Sequence, residues 1–291
     1  MILLTGATGL IGSALLRRLL GAGQEVRCLV RDPRRLGPDR VRVNITLGDL
    51  ASPTSIRQAM RGITTVVHVG ATIRDQPAGS IEEVNGMATI RLLREAEKGR
   101  AERFVFFTAV GANPTSPARF MRAKALAERA VLNGDVEPAV LAPSIVYSPA
   151  DRYMTLLRGM TRLPWVPIAG SGRSRYQPMW VEDAADCAAA VVLNGTRNGS
   201  RVELAGPDVL AYDDIVKLAL EAWGRERPLL HVPAAAVRSG LRALGKVSGE
   251  SAFATWEEAE LMGISMVTDG GPRDARRLGV EPKRMREVLG L

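Results

Sequence analysis

Cysteine, histidine and aromatic residues are all scarce in this sequence. Its 291 residues hold two cysteines, two histidines and 4% aromatics. Cys28 and Cys187 lie far apart, one in an expected strand and one in an expected helix. They give neither a disulfide framework nor a redox pair, and read as small buried apolar side chains. With so few scattered histidines and cysteines, no metal site is expected. No apolar run reaches the length of a membrane span. With a first strand expected from Met1, no signal peptide is expected ahead of it. The expected location is therefore the cytoplasm, at most peripheral to the inner membrane face. Also missing is a basic tract interleaved with aromatics. The net charge is +8, but the arginines behind it are dispersed, so no nucleic-acid partner is expected.

What the chain does have is a glycine turn at its start. Ile2 to Leu4 is a short apolar run suited to a buried parallel strand. It leads into Gly6, Gly9 and Gly12, and then into a helical pattern with Ile11, Leu15 and Leu19 on one face. Strand, glycine turn and helix in that order are what a dinucleotide site requires. Gly6 suits the tight turn, Gly9 close approach of a pyrophosphate, and Gly12 close packing of helix on sheet. The helix start offers N–H groups and a positive dipole end to phosphates.

From there to Pro149 strands and helices alternate. Strands are expected over 25–30, 41–47, 65–69, 103–108 and 139–142. Helices are expected over 53–60, behind the Ser52 N-cap and Pro53, and over 81–97 and 120–132. This rhythm gives an α/β fold: a Rossmann-type doubly wound parallel sheet. The dinucleotide-binding domain covers 1–149, with 176–206 packing back on it. Residues 150–175 and 207–291 form a smaller, mostly helical substrate or lid part. Its expected helices are 212–223, 234–247 and a tail beyond Asp274.

Thr5-Gly-Ala-Thr-Gly-Leu-Ile-Gly12 resembles the extended and atypical short-chain dehydrogenase/reductase superfamily. The similarity continues through Gly48-Asp-Leu50, Val66-Val-His-Val-Gly-Ala71, Val84-Asn-Gly86, Leu141-Ala-Pro-Ser-Ile-Val-Tyr147, Arg175-Tyr-Gln-Pro-Met-Trp-Val-Glu-Asp-Ala184 and Glu203-Leu-Ala-Gly-Pro207. This set is similar to bacterial relatives of the short-chain-dehydrogenase-like accessory subunit of mitochondrial complex I. The resemblance implies a nicotinamide cofactor held by Gly6, Thr8, Gly9, Leu10, Ile11 and Gly12. It also implies Asp49 accepting from the adenine amino group, Leu50 lending backbone contact, Gly70 and Ala71 beside the ribose, and Pro143 at the end of the sixth strand. His68 reads as a hydrogen-bonded strand histidine rather than a catalyst.

Charge indicates which cofactor. An NAD site wants a carboxylate at the end of the second strand to accept from the ribose hydroxyls. That place holds Val30, followed by Arg31, with Arg34 and Arg35 close behind. A guanidinium there pairs with a 2′-phosphate, so NADP is expected over NAD. The alternative is that Arg31 is a solvated turn residue and Asp32 serves a ribose hydroxyl.

The catalytic signature departs from the superfamily. Its members use a Tyr as acid/base and, four residues on, a Lys that lowers the tyrosine pKa and holds the nicotinamide ribose. Here the helix reads Phe120-Met-Arg-Ala-Lys124, and the Ser position holds Thr108 or its neighbour Ala109. The catalytic candidates are therefore Thr108 and Lys124. Tyr147, Tyr153 and Tyr176 read as packing or pocket wall. The expected function is NADP(H) binding without tyrosine-based catalysis. The resemblance implies a setting in quinone or respiratory-chain metabolism, with a small-molecule or quinone-like substrate or a protein complex as partner. The alternative is an active NADP-dependent reductase or epimerase/dehydratase. Finally, Arg238, Arg242 and Lys246 form a basic stripe that could rest on an anionic membrane, or simply be a solvated helix face.

Overall fold

Seven short, mostly apolar segments pair into one sheet, and every pairing is parallel. The computed structural model describes residues 1–77, 79–195, 201–237, 239 and 256–291. The strands are β1 (Ile2–Thr5), β2 (Val26–Val30), β3 (Asn44–Leu47), β4 (Thr65–His68), β5 (Arg103–Phe107), β6 (Glu137–Pro143) and β7 (Arg201–Leu204). Their spatial order is β7-β6-β5-β4-β1-β2-β3. The central strands are buried on both sides, which is why they read as continuous apolar runs rather than alternating ones.

Helices cover both faces. On one lie α1 (Leu10–Gly21) and α6 (Val181–Asn194), packed through Leu15, Leu16, Leu19, Ala184, Ala188 and Val191. On the other lie α2 (Pro53–Ala59), α3 (Ala88–Lys98) and α4 (Arg119–Leu132), packed through Ile56, Leu92, Phe104, Phe106 and Val131. Ser52 caps α2 by accepting from Ser55 N at 3.3 Å, with Pro53 at the first helical position. Strand order reverses between β1 and β4. In such sheets the crevice outside the carboxyl ends at that point is where ligands bind.

The rest of the chain builds a second cluster beyond those carboxyl ends. It contains α5 (Arg152–Met160), α7 (Tyr212–Ala222) and α8 (Trp256–Leu261); α9 (Arg273–Arg277) turns back and packs Ala275 with α1 and α6, and α10 (Met285–Leu289) and three two-stranded pairings complete the cluster. Its core joins Met121 of α4 to Tyr147, Met154, Tyr176, Ile215 and Met285. No helix among the described residues is long and apolar enough to cross a membrane.

Three expectations need correction. The third strand starts at Asn44, because Pro33–Val41 winds into tight turns broken at Gly37 (φ +60). The expected helix over 81–97 carries a widened π turn at Glu83–Met87, which buries Asn85 and Gly86. The expected tail helix is two short helices, parted by Gly279 (φ +82) and by Pro282, which cannot continue a helix. The expected helix over 234–247 falls mostly outside the described residues, as do Arg238, Arg242 and Lys246 of its basic stripe.

Candidate cofactor and active site

The loops after β1 and β4 meet at the switch point. Gly6 takes φ +77, and a Cβ there would stand 2.5 Å from Gly70 N. A Cβ on Gly12 would stand 2.0 Å from Gly6 O, so α1 is pressed onto its own turn. Gly9 differs: a Cβ there would meet only Gly6 O, at 3.3 Å, and otherwise open space. Gly9 is the N-cap of α1 and makes no side-chain capping bond. The first-turn N–H groups of a helix have no intrahelical acceptor, and Gly9 and Leu10 are exposed beside half-buried Thr8 and Ile11. The donors and the clearance over Gly9 fit a pyrophosphate.

The residues expected at the adenosine end stand at the carboxyl ends of β2 and β3. Val30 is buried and offers no acceptor for ribose hydroxyls. The Arg31 Nε stands 3.7 Å from Asp49 Oδ2, while Asp49 Oδ1 accepts from Ala51 N at 2.8 Å. Leu50 lies over Gly70, where a Cβ would meet its Cδ1 at 2.8 Å. Asp32 accepts from Arg34 N and Nε, both at 3.0 Å, and from Arg34 Nη2 at 3.1 Å. The Arg34 guanidinium holds the Asp32 carboxyl below its ordinary range. Asp32 and Arg34 are thus engaged with each other, and Arg31 is the guanidinium beside Asp49.

At the opposite end, Lys124 is 1% exposed, and its Nζ donates to Phe107 O at 2.7 Å. The Nζ stands 4.8 Å from the Phe106 ring centroid and 5.8 Å from that of Phe120. Burial brings the ammonium down from 10.5 to about 7. Half-buried Phe120 lies one turn before it on α4. The Thr108 hydroxyl donates to Glu128 Oε2 at 2.8 Å, and Glu128 Oε1 accepts from Arg201 Nε at 2.8 Å. Pro143 is buried in the β6–β7 pairing, and its carbonyl accepts from Val110 N at 2.9 Å.

His68 is fully buried. Its Nδ1 lies 2.6 Å from Thr5 Oγ1 and its Nε2 2.9 Å from Thr89 Oγ1. The Thr89 hydroxyl donates to Asn85 O, so it accepts from His68 Nε2–H, and Thr5 donates to Nδ1. Burial, helped by the Lys124 charge, lowers the imidazole pKa to about 3. A neutral ring locked between two hydroxyls is structural. Both cysteines are buried and free, their thiols pushed up to about 12 mainly by burial.

The tyrosines of the second cluster pack inward. Tyr176 donates to Met262 O at 2.6 Å. Tyr147 and Tyr153 border a cavity of about 50 Å³, with Met154, Ile215 and Met285 among its walls. Burial raises the Tyr147 and Tyr153 phenols above their ordinary value. Near Phe120, Arg119 Nη1 pairs with Asp75 at 3.0 Å and stands 3.8 Å from Glu257, while its Nε bonds Glu82 at 2.7 Å. Arg74 pairs with Glu258. These pairs tie α8 to the loop after β4 and to the start of α4.

Sequence reasoning missed Glu128 and Arg119. Glu128 lies four residues beyond Lys124, hence on the same helical face, and that spacing was the available signal. Nothing local marks Arg119, whose partners come from 37 to 138 residues away in sequence.

The family model described as "NAD dependent epimerase/dehydratase family" matches residues 2–205. The chain belongs to that family. The matched region of this epimerase/dehydratase-family chain includes the whole seven-stranded sheet. The chain is 30% identical over 236 residues to the mitochondrial NADH dehydrogenase [ubiquinone] 1 alpha subcomplex subunit 9 of Arabidopsis thaliana, covering 76% of this chain and 58% of that one. It therefore spans under two thirds of that relative's length. It is 28% identical over 237 residues to the ceramide reductase of Caulobacter vibrioides, covering 80% of this chain and 74% of that one. The structure of an Escherichia coli NADPH-dependent quinone oxidoreductase complexed with NADPH is similar, with a TM-score of 0.78 at 16% identity, covering 100% of this chain and 99% of that one. That likeness shows the fold.

Proposed function

We propose that the chain binds NADP(H) through Gly6–Gly12, Arg31, Asp49, Leu50, Gly70 and Lys124, and that it does so without tyrosine-based catalysis. The observation that carries this reading is the pairing at the ends of β2 and β3. Val30 is buried where an NAD site wants a carboxylate, and Arg31 stands beside Asp49. The cofactor supplies hydride chemistry when bound. The glycine turn positions the pyrophosphate, Arg31 meets the 2′-phosphate, and Lys124 Nζ, with two donor positions beyond its bond to Phe107 O, serves the nicotinamide ribose. Phe120 has no proton to give. The cofactor is then structural or sensory, or supports weak reductase chemistry. A setting beside the respiratory chain follows from the likeness to the complex I subunit.

A second reading has one observation in its favour. A lysine brought to about 7 by burial both gives and takes a proton at neutral pH, where acid–base catalysis is most efficient. In that reading Lys124 serves a carbonyl substrate directly, with Thr108 held by Glu128 beside it.

Titration with NADPH and NADH, watched by nicotinamide fluorescence, tests the first reading. The native chain prefers NADPH, and Arg31→Glu loses about 1.5–3 kcal/mol of NADPH affinity, the scale of a hydrogen bond to a charged group. An unchanged preference in Arg31→Glu would sink the arginine argument. Oxidation of bound NADPH by a panel of carbonyls and quinones decides between the readings. Activity gained only in Phe120→Tyr shows a competent pocket that lacks its acid; turnover by the native chain, abolished in Lys124→Met, favours the second.

A further inference from the structure

The end of α5 gathers arginines that have no carboxylate partner among the described residues. Arg225 Nη1 and Arg227 Nε donate to Thr161 O, at 3.4 and 3.2 Å, and so converge where α5 stops. Arg162 is the next residue, and Arg158 lies one turn earlier. Among the described residues, no carboxylate lies within ion-pair distance of any of these four. Elsewhere about half of the described arginines hold a carboxylate, Arg18, Arg119, Arg201, Arg276 and Arg286 among them. The nearest acid in sequence, Glu226, offers Arg227 only its backbone carbonyl.

The same place exposes large apolar side chains. Leu163 is 44% exposed and Trp165 42% exposed. Immediately after them Val166 N donates to Pro228 O at 2.9 Å, and Pro167 lies opposite Leu230, itself 44% exposed. Pro233–Ala236, past the far end of this parallel pairing, are also exposed. The inward side of α5 carries Met154 and Leu157, buried in the second cluster.

We propose that this face, with Leu163 and Trp165 set among Arg158, Arg162, Arg225 and Arg227, docks on an anionic lipid bilayer. An indole and a leucine at the level of the headgroups, with guanidinium groups around them, is the pattern of an interfacial anchor. Four unmatched positive charges complement anionic headgroups, which surround the apolar residues on every side. A folded acidic protein would instead have to place carboxylates at fixed points. Docking by this face sets the smaller part, with its Tyr147–Tyr153 cavity, against the bilayer. The inference does not rest on the cofactor reading, because none of these residues belongs to the cofactor site.

Co-sedimentation with vesicles tests it on the whole chain. Phosphatidylcholine vesicles carrying phosphatidylglycerol should pull the protein down at low salt, and pure phosphatidylcholine vesicles should not. Each arginine near an anionic surface contributes about 1 kcal/mol, so Arg158→Gln with Arg162→Gln should cut the partition coefficient about thirtyfold. Trp165→Ser should weaken it, and the blue shift of tryptophan emission on binding should vanish in Trp165→Phe. Unchanged melting temperature and circular dichroism in these variants confirm that they fold. No sedimentation at low salt overturns the proposal. So does equal binding by the variants, equal binding to neutral vesicles, or capture on polyglutamate beads without vesicle binding.

Discussion

Lys124 is a basic side chain held almost wholly out of water, 1% exposed. Among the described residues its ammonium has one hydrogen-bond partner, Phe107 O, and two aromatic rings as neighbours. Its pKa is about 7 in the folded chain against 10.5 for an exposed lysine. Between those values the unfolded chain binds a proton that the folded chain does not, so the lysine makes stability rise with pH over that window. Below about 7 both states are protonated, and the folded one carries a buried cation. Lys124→Met should therefore melt higher than the native chain below about pH 7, the gain shrinking as pH rises towards 10.5. Thermal melts of both proteins across that range measure it; a gain independent of pH would mean the lysine is not desolvated as described. The sequence could place this lysine, one turn after Phe120, because helical spacing is periodic. It could not place Glu128 against Thr108 and Arg201, because those partners come from just past β5 and from β7, which only the sheet brings together.

At the scale of elements, apolar periodicity carried most of the positions. β1, β2, β4 and β5 fall where the runs lie, and Ser52-Pro53 opens α2 as its capping chemistry requires. The failures come where backbone chemistry overrides apolar content. Val41 and Val43 look like strand, yet the turns of Pro33–Val41 delay pairing to Asn44. The ion pairs that secure α8 were equally invisible, since their partners, Arg74 and Arg119, lie far from it in sequence. Arg119 is the hub, and its guanidinium lowers the Glu82 carboxyl to about 2 from 4.5. That contribution is present above pH 4.5 and is lost as pH falls through about 2. Each exposed pair is worth at most about 1 kcal/mol, so Arg119→Gln should lower the melting temperature by only a few degrees. Its larger effect should be local: cleavage by a Glu-specific protease at Glu257 or Glu258 should speed up, relative to cleavage elsewhere. Equal cleavage rates in both proteins would show that α8 is held by packing alone.

For the whole molecule, the alternation of strands and helices was enough to give the doubly wound sheet and its switch point. It did not show that the end of the chain returns to the sheet. Asp274 Oδ2 accepts from Glu203 N of β7 at 3.0 Å, and Asp183 Oδ2 of α6 accepts from Lys283 N at 2.8 Å. Met285 is buried against the second cluster, while Ala275 packs with the core of the α1–α6 face. Ser144, just past β6, donates to Met266 O at 2.7 Å. These returns tie the smaller part to the sheet at several independent points. Calorimetry should therefore record one cooperative transition rather than two. NADPH at a hundred times its Kd should raise that transition as a unit, by roughly 5 °C for the ~2.7 kcal/mol that such binding adds. Two resolved peaks, with NADPH moving only one, would show that the smaller part melts independently and that the tail contacts do not couple it to the cofactor.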